Sequence, residues 1–242
     1  MKRVFIVQAR MTSTRLPGKI LLDLDGRPLL SRQLERLRRC RTADEIVVAC
    51  TTNAADDAIA ALCADEGVRI FRGSESDVLS RYLGAAREAG ADVVVRVTSD
   101  CPIICPEVCD TVVNARETSG ADYASNTLKR TFPRGLDCEA FTREALEKAA
   151  SEATSAPSRE HVTWRIHTED RPSYRLRSVE DAENHSDLRW TVDEPADLKA
   201  VRLLWSGLRL SERPLGYREI LAYCLAHPEI SAINAAVEQK KF

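Results

Sequence analysis

The sequence predicts an α/β fold built on a Rossmann-like, mostly parallel sheet with helices on both faces. Short apolar runs alternate with segments of helical periodicity from the amino terminus to about residue 97. Such βαβ units require crossover connections that place helices over a parallel sheet. The rhythm changes after Gly120, so one domain spanning 1–242 is expected, with a small inserted α+β subdomain at 121–187.

The first elements follow from apolar periodicity. Residues 4–7 and 46–50 are short apolar runs bounded by charge, which is typical of buried strands. Between these runs, leucines recur at helical spacing over 30–37 after Ser31, a residue type that often starts a helix. The next expected elements are a helix at about 53–66 that stops at Gly67, a strand at 68–71, a helix at 78–89 that stops at Gly90, and a strand at 92–97.

The later elements are expected to return to the same sheet. Residues 188–192 have the apolar pattern of a strand, and they are followed at 195–204 by a helix with Pro195 in its first turn. The tail, at about 217–237, has helical periodicity. The carboxyl-terminal part is therefore expected to complete the main sheet and to cover it.

Composition excludes several classes of protein. The 242 residues are 44% hydrophobic and 30% charged, which is ordinary for a globular protein with a sizeable core. A net charge of −2 offers no general attraction to nucleic acid or to an anionic membrane. Apolar stretches are too short to span a bilayer, and the Met-Lys-Arg start lacks a signal-like apolar region, so a cytoplasmic protein is expected.

Two groups of residues are expected to be structural. Cys101, Cys105 and Cys109 match neither zinc nor iron–sulfur spacing, so buried thiols are expected there. The first forty residues hold ten Lys or Arg against three acids, which would suit a polyanionic ligand. Four arginines of this group are nevertheless expected to solvate the outer face of the first helix. They are Arg32, Arg36, Arg38 and Arg39.

The loop after the first strand has an unusual composition. Residues 8–19 read Gln-Ala-Arg-Met-Thr-Ser-Thr-Arg-Leu-Pro-Gly-Lys and combine three cations, three hydroxyls and a Pro-Gly pair. A triphosphate needs charge neutralisation, many donors and a loop of fixed shape. Neither the P-loop spacing nor the dinucleotide fingerprint is present.

Two acids follow predicted strands. Asp100 comes after the strand at 92–97, and Asp193 comes after the strand at 188–192. Ligands of parallel sheets bind beyond the carboxyl ends of the strands, and Mg²⁺ prefers carboxylate oxygens. The two acids are therefore candidate metal ligands, although each alone is also typical of a turn.

The loop at 8–19 resembles the signature A-R-x-x-S-x-R-L-P-G-K of the CMP-sugar synthetases, which include the acylneuraminate and Kdo cytidylyltransferases. Arg10 and Met11 stand where other sugar nucleotidyltransferases have glycines, which favours the cytidylyl branch. Segment 72–82 resembles the family's G-x-x-x-D-V-L-x-R-Y motif, and segments 134–141, 159–163 and 223–234 resemble the spore-coat-polysaccharide subgroup, so the similarity covers essentially the whole chain. The resemblance implies a nucleotide-diphospho-sugar transferase fold and transfer of CMP from CTP to a sugar acid.

The resemblance also implies roles for individual residues. Those implied to bind the nucleotide are Ala9, Arg10, Ser13, Arg15, Lys19, Ser74, Asp77 and Asp100. Arg10, Arg15 and Lys19 would stabilise the leaving pyrophosphate, with Lys19 partly exposed in a cleft, and Asp100 and Asp193 would hold a Mg²⁺ cofactor. The implied acceptor contacts are Arg134, Glu139 and His161. The family also implies a homodimer formed through the subdomain.

Some alternatives stay open at this level. Asp77 could simply cap a helix, and a lone histidine such as His161 is more often a structural residue. A glycosyltransferase is a rival enzyme, but such enzymes often have Asp-x-Asp at the metal, whereas this chain has Ser99-Asp100-Cys101. A non-sugar hydroxyl or a phosphonate is another possible acceptor, and a binding module without turnover is a further class.

Overall fold

The computed structural model describes residues 1–239 and is built around one seven-stranded sheet. The strands are β1 (Arg3–Gln8), β2 (Asp23–Leu24), β3 (Arg27–Pro28), β4 (Glu45–Thr51), β5 (Arg69–Gly73), β6 (Val93–Thr98), β7 (Tyr123–Ser125), β8 (Glu139–Thr142) and β9 (Leu176–Ser178). Strands β2 and β3 form a separate antiparallel hairpin. The other strands lie in the order β5-β4-β1-β6-β8-β7-β9.

The sheet is mostly parallel, which confirms the predicted fold class. Strand β1 lies between β4 and β6 and runs parallel to both, with Gln8 opposite Ala49 on one side and Thr98 on the other. Strand β8 runs antiparallel to its neighbours β6 and β7, and β9 is parallel to β7. The carboxyl ends of β1, β4, β5 and β6 therefore lie along one edge of the sheet.

Helices cover both faces of the sheet. They are α1 (Leu29–Leu37), α2 (Asp57–Asp65), α3 (Val78–Glu88), α4 (Pro106–Ser119), α5 (Arg143–Glu152), α6 (Ala156–Glu160), α7 (Pro195–Leu208), α8 (Tyr217–Ala226) and α9 (Pro228–Ala232). Side chains of α1, α2, α4, α7 and α8 form one core, and those of α3 and α5 form the other. In β1, Phe5 and Val7 enter the first core while Val4 and Ile6 enter the second, which explains the unbroken apolar run of a strand buried on both faces.

Three expected elements differ from the structure. Residues 188–192 form no strand of the sheet and make only an isolated bridge between Arg134 and Arg189. Strand β6 already has β1 and β8 as neighbours, so no free hydrogen-bonding edge remains beside it. Helix α1 begins at Leu29, before Ser31. The tail divides into α8 and α9 at Pro228, whose ring nitrogen cannot donate a helical hydrogen bond.

The expectation that the arginines of α1 only solvate its outer face is wrong for two of them. Arg32 and Arg36 are 6% and 3% exposed. Arg32 donates through Nε to the carbonyl of Leu24, and Arg36 donates to the carbonyls of Ile104 and Leu215. Both guanidinium groups therefore donate to main-chain carbonyls in the protein interior.

Residues 121–187 extend the main sheet with β7, β8 and β9 and contribute α5 and α6. The roles of this segment in acceptor binding and in dimer formation stay predictions. All eight cysteines are buried free thiols, as expected. Within residues 1–239, no helix combines the length and the apolar character needed to cross a bilayer.

A substitution at Gly135 tests the contact between the segment around Gly135 and residues 188–192. The φ of Gly135 is +105°, and a Cβ there would lie 2.6 Å from the carbonyl carbon of Trp190 and 2.7 Å from the nitrogen of Thr191. We expect Gly135→Ala to lower the free energy of unfolding by about 2–4 kcal/mol, from backbone strain and overpacking together. The measurement is urea denaturation.

Gly26→Ala is the matched control, because Gly26 has a φ of +81° but nothing within 4 Å of the position that a methyl group would take. Backbone strain alone should cost about 1 kcal/mol there. Equal losses in the two variants would contradict the close approach at Gly135.

Candidate active site at the carboxyl edge of the sheet

Three distant segments of the chain meet where β1 and β6 end. The loop at 9–18 follows β1, and the loop at 99–105 follows β6. The third segment, 188–194, crosses the second loop, where the amide of Val192 donates to the carbonyl of Asp100 at 2.8 Å. This crossing brings Asp193 to the same edge as Asp100, although residues 188–192 are not a strand of the sheet.

Lys19 lies between the two aspartates. Its Nζ is 3.0 Å from Asp100 Oδ2 and 2.9 Å from Asp193 Oδ1, and it donates to the carbonyl of Val192 at 2.7 Å. Gly18, with a φ of +66°, turns the chain into a short 3-10 helix that starts at Lys19. Lys19 is 8% exposed, so the expectation that this lysine is partly exposed is wrong. A buried ammonium needs oxygen partners, and here both carboxylates and a carbonyl supply them.

The electrostatics of this cluster keep its charges in place. Burial alone would lower the pKa of Lys19, but the charges of Asp100 and Asp193 raise it above its ordinary value. Burial would raise the pKa of Asp100, but the Lys19 charge and the hydrogen bond from Thr98 lower it below its ordinary value. Lys19 and Asp100 are therefore an ion pair at neutral pH.

Asp193 is held by two arginines. Arg15 Nη2 lies 2.9 Å from its Oδ1, and Arg189 Nη2 lies 2.8 Å from its Oδ2. Arg189 also pairs through Nε with Asp197 at 2.8 Å, and Asp197 is fully buried. Asp197 accepts hydrogen bonds from the amides of Asp193 and Glu194 at the start of α7, which fixes the backbone beside the carboxylate.

Helix α1 fixes the loop that carries Asp100. Gln33 Nε2 donates to the carbonyl of Thr98 at 2.7 Å, and Arg36 Nε donates to the carbonyl of Ile104 at 2.6 Å. Thr98 Oγ1 in turn donates to Asp100 Oδ1 at 2.6 Å. Both ends of the loop are thus attached to one helix. Sequence reasoning missed Gln33, Arg36, Arg189 and Asp197; polar residues among the apolar positions of α1 were the only local signal for the first two.

The loop at 9–18 is tied down at both of its ends. The amide of Ala9 donates to the carbonyl of Ala49, and the amide of Met11 donates to Asp56 Oδ1 at 2.8 Å. The amide of Gly18 returns to the carbonyl of Met11 at 3.1 Å. Ser13 lies inside this turn and accepts from the amide of Leu16. A loop closed in this way can present its polar groups to a ligand without first being ordered.

Arg10 lies exposed at the outer side of this loop, toward the segment that follows β5. In that segment, Glu75 accepts hydrogen bonds from Thr12 and Asn53. These hydrogen bonds lower the pKa of Glu75, and the nearby charge of Arg10 lowers it further. Asp77 caps α3 by accepting from the amide of Ser80 at 2.9 Å, as the structural alternative for this residue predicts. The hydroxyl of Ser74 accepts from the amide of Asp77.

A polar cleft of about 330 Å³ opens beside the aspartates. Its walls include Asp100, Asp193, Arg130, Arg134 and Asp137. Arg130 forms a bidentate ion pair with Asp137, with N–O distances of 2.6 and 2.7 Å. Arg134 makes no ion pair with any residue in the part of the chain that the structure describes, and burial lowers its pKa.

The structure places the other two predicted acceptor residues elsewhere. Glu139 is buried in β8, where it pairs with Arg96 and accepts from the hydroxyls of Tyr123 and Thr163. His161 lies at the end of α6, with its ring 6.1 Å from the ring of Trp164. Neither residue lines the cleft beside Asp100.

The two aspartates fit a divalent cation that brings further ligands with it. Asp100 Oδ2 and Asp193 Oδ1 lie 3.0 and 2.9 Å from Lys19 Nζ, so these two oxygens are at most 5.9 Å apart. Among residues 1–239, no cluster of three or more His, Cys, Asp or Glu side chains could form a complete metal cage. Mg²⁺ is commonly bound by one or two carboxylates together with water and substrate phosphates, which matches this donor set.

Comparisons with known proteins show which family the chain resembles. A family model described as cytidylyltransferase matches residues 4–211. An uncharacterized protein of Methanocaldococcus jannaschii is 37% identical over 100% of this chain and 98% of its own. A spore coat polysaccharide biosynthesis protein of Bacillus subtilis is 32% identical over 87% of this chain and 88% of its own. The solved structure of a cytidylyltransferase from Leptospira borgpetersenii has a TM-score of 0.89 at 30% identity and covers 100% of this chain and 99% of its own.

Asn234 tests the network behind Asp193. Its Nδ2 donates to Asp197 at 2.8 Å and to the carbonyl of Arg189 at 3.0 Å, and the residue is 2% exposed. We expect Asn234→Leu to lower the free energy of unfolding by about 1–3 kcal/mol, because two buried acceptors lose their donor. Asn114→Leu, on the exposed face of α4, is the control and should change the free energy by less than about 0.5 kcal/mol. Similar effects of the two substitutions in urea denaturation would show that the buried contacts add nothing.

Proposed function

This chain belongs to the cytidylyltransferase family, and we propose that it transfers CMP from CTP to a hydroxyl group of a sugar acid, with release of pyrophosphate. The observation that carries the proposal is the convergence of Lys19, Asp100 and Asp193 at the edge of an arginine-lined cleft. Polyphosphate chemistry needs cations for the leaving group and hard oxygen ligands for a metal, and this cluster offers both.

In the proposed reaction, the loop at 9–18 holds the nucleotide. Arg10, Arg15 and Lys19 bind the triphosphate and stabilise the charge of the leaving pyrophosphate. Ala9, Ser13, Ser74 and Asp77 line the nucleotide side in this proposal. The acceptor hydroxyl oxygen attacks the α-phosphorus in line, its proton passes to the solvent, and the bond between the α-phosphorus and pyrophosphate breaks.

Asp100 and Asp193 are the residues that would hold Mg²⁺. When bound, Mg²⁺ neutralises charge on the phosphates and lowers the pKa of a nearby hydroxyl. Arg189 and Asp197 keep the Asp193 carboxylate in position, and Gln33 and Arg36 do the same for the Asp100 loop. These supports hold the two oxygens at a fixed separation.

The acceptor is proposed to be a sugar acid because of the cleft beside the aspartates. Arg134 forms no ion pair among residues 1–239, although Asp137 lies in the same cleft, and a guanidinium in a cleft suits a carboxylate of the substrate. A nine-carbon acid of the sialic, legionaminic or pseudaminic type is the first choice, followed by Kdo-like acids. Glu139 and His161 do not line this cleft, so the proposal gives them no direct contact with the acceptor. Polysaccharide biosynthesis, a cytoplasmic location and a homodimer complete the proposal.

Pyrophosphate release is the direct test of this function. Purified protein should consume CTP in preference to UTP, GTP and dTTP when a panel of sugar acids and Mg²⁺ is present, and the CMP conjugate should appear in equal amount. The physical reason is that the loop presents Arg10 where glycine is usual in other nucleotidyltransferases. Better use of UTP would remove the cytidylyl assignment. Turnover only with a phosphonate would replace the proposed acceptor. Transfer of a sugar from a nucleotide sugar would replace the proposed reaction.

The two aspartates should act as a unit. We expect Asp100→Asn and Asp193→Asn each to lower kcat on the order of a thousandfold, with the double variant within about tenfold of the slower single variant. The reason is that removing either carboxylate already destroys a shared site. Glu194→Gln is the control, since Glu194 is adjacent to Asp193, its ion-pair partner Arg15 lies 3.5 Å away, and a glutamine oxygen can keep its capping contact at the start of α7. Multiplicative losses in steady-state kinetics would mean that the aspartates serve separate purposes.

A further inference from the structure

We infer that Lys19 is a built-in counter-ion of the Asp100–Asp193 pair, so that the site binds a free divalent cation weakly and takes up the metal together with the triphosphate. The inference rests on the proposed function and deepens it, because it assigns an order to the binding of metal and nucleotide. It is carried by the contacts of the ammonium group, by the charges around it and by the reach of its side chain.

The first step is the coordination of the ammonium group. A lysine ammonium has three N–H donors. The three oxygen partners of Lys19 are Asp100 Oδ2, Asp193 Oδ1 and the carbonyl of Val192, all between 2.7 and 3.0 Å. Every donor is therefore used, and the ammonium group lies between the same carboxylate oxygens that a metal would use. A metal ion cannot occupy the position between these two oxygens while the Lys19 ammonium group is there.

The second step is the charge of the surrounding cluster. Three cationic side chains face three buried or half-buried carboxylates, with Glu194 at the more exposed edge. The cations are Lys19, Arg15 and Arg189, and the carboxylates are Asp100, Asp193 and Asp197. Because these charges nearly cancel, a free divalent cation would add positive charge that the cluster does not compensate. A triphosphate supplies the missing negative charge when it arrives with the metal.

The third step is the exchange of partners. Lys19 is fixed by its backbone at the start of a 3-10 helix, but its four-carbon side chain can turn toward the nucleotide loop that precedes it. The triphosphate gives the ammonium new oxygens, and the two carboxylates become free for the metal. No covalent bond changes in this step. Metal and nucleotide therefore strengthen each other's binding, and this coupling is reciprocal.

The test is equilibrium binding of Mn²⁺ to the full chain, followed by electron paramagnetic resonance, with and without CTP and without any acceptor. Wild-type protein should bind Mn²⁺ weakly alone and at least tenfold more tightly with CTP. Lys19→Met should bind Mn²⁺ at least tenfold more tightly than wild type without CTP, and CTP should add less. Lys199→Met is the matched control, since Lys199 is exposed on α7, and it should behave like wild type.

Two outcomes would overturn the inference. One is equally tight Mn²⁺ binding by wild-type protein with and without CTP, and the other is an unchanged Mn²⁺ affinity in folded Lys19→Met. That variant leaves two facing carboxylates without their shared partner, so a second measurement covers the case in which it does not fold. The ¹⁵N signal of the Lys19 ammonium in wild-type protein then decides. It should be unchanged by Mg²⁺ alone and should shift with Mg²⁺ and CTP together; a shift with Mg²⁺ alone would contradict the inference.

These results are separable from the test of the proposed function. The Mn²⁺ and ¹⁵N measurements need neither an acceptor nor turnover. Coupled binding of metal and CTP without pyrophosphate release on any sugar acid would leave the role of Lys19 standing and remove the proposed acceptor. Pyrophosphate release together with independent binding of metal and CTP would leave the proposed function standing and remove the role of Lys19.

Discussion

The binding of one buried ammonium group by three oxygens is the constraint on which the site depends. Lys19 joins segments that lie 81 and 174 residues away along the chain, at Asp100 and at Asp193. Removing a charge from water costs several kcal/mol unless partners of opposite charge replace the water. The fold must therefore hold both aspartates at Lys19, and most of the polar contacts around the site serve that purpose.

The sheet and its helices provide this positioning. Because β1 and β6 are neighbours, the loops that follow them begin side by side at the carboxyl edge. Helix α1 then fixes the Asp100 loop through Gln33 and Arg36, while the start of α7 fixes Asp193 through Asp197 and Arg189. Rigid elements therefore hold the two carboxylates independently of the Lys19 side chain that lies between them. The strand order places the loops of Lys19 and Asp100 side by side, and the crossing segment 188–194 brings Asp193 to them.

The same edge separates two kinds of surface. On one side, the loop at 9–18 is closed on itself and presents the exposed Arg10. On the other side, the cleft contains Arg134, which forms no ion pair within residues 1–239. The buried pair of Glu139 with Arg96 lies in neither surface and contributes to the core instead. The exposed polar groups at this edge are thus divided between a closed loop and an open cleft.

The sequence by itself determined the α/β class and the strands β1, β4, β5 and β6. It also determined that the loop at 8–19 is rich in cations and hydroxyls. These features are local, since apolar runs and clustered cations are visible within a few residues of one another. Only the tertiary structure decided that Lys19 is buried, that Arg36 binds the Asp100 loop, that Glu139 lies in the core and that residues 188–192 cross the sheet edge without joining it. Each of these outcomes depends on which distant carbonyl or carboxylate meets a side chain, and no local periodicity encodes such contacts.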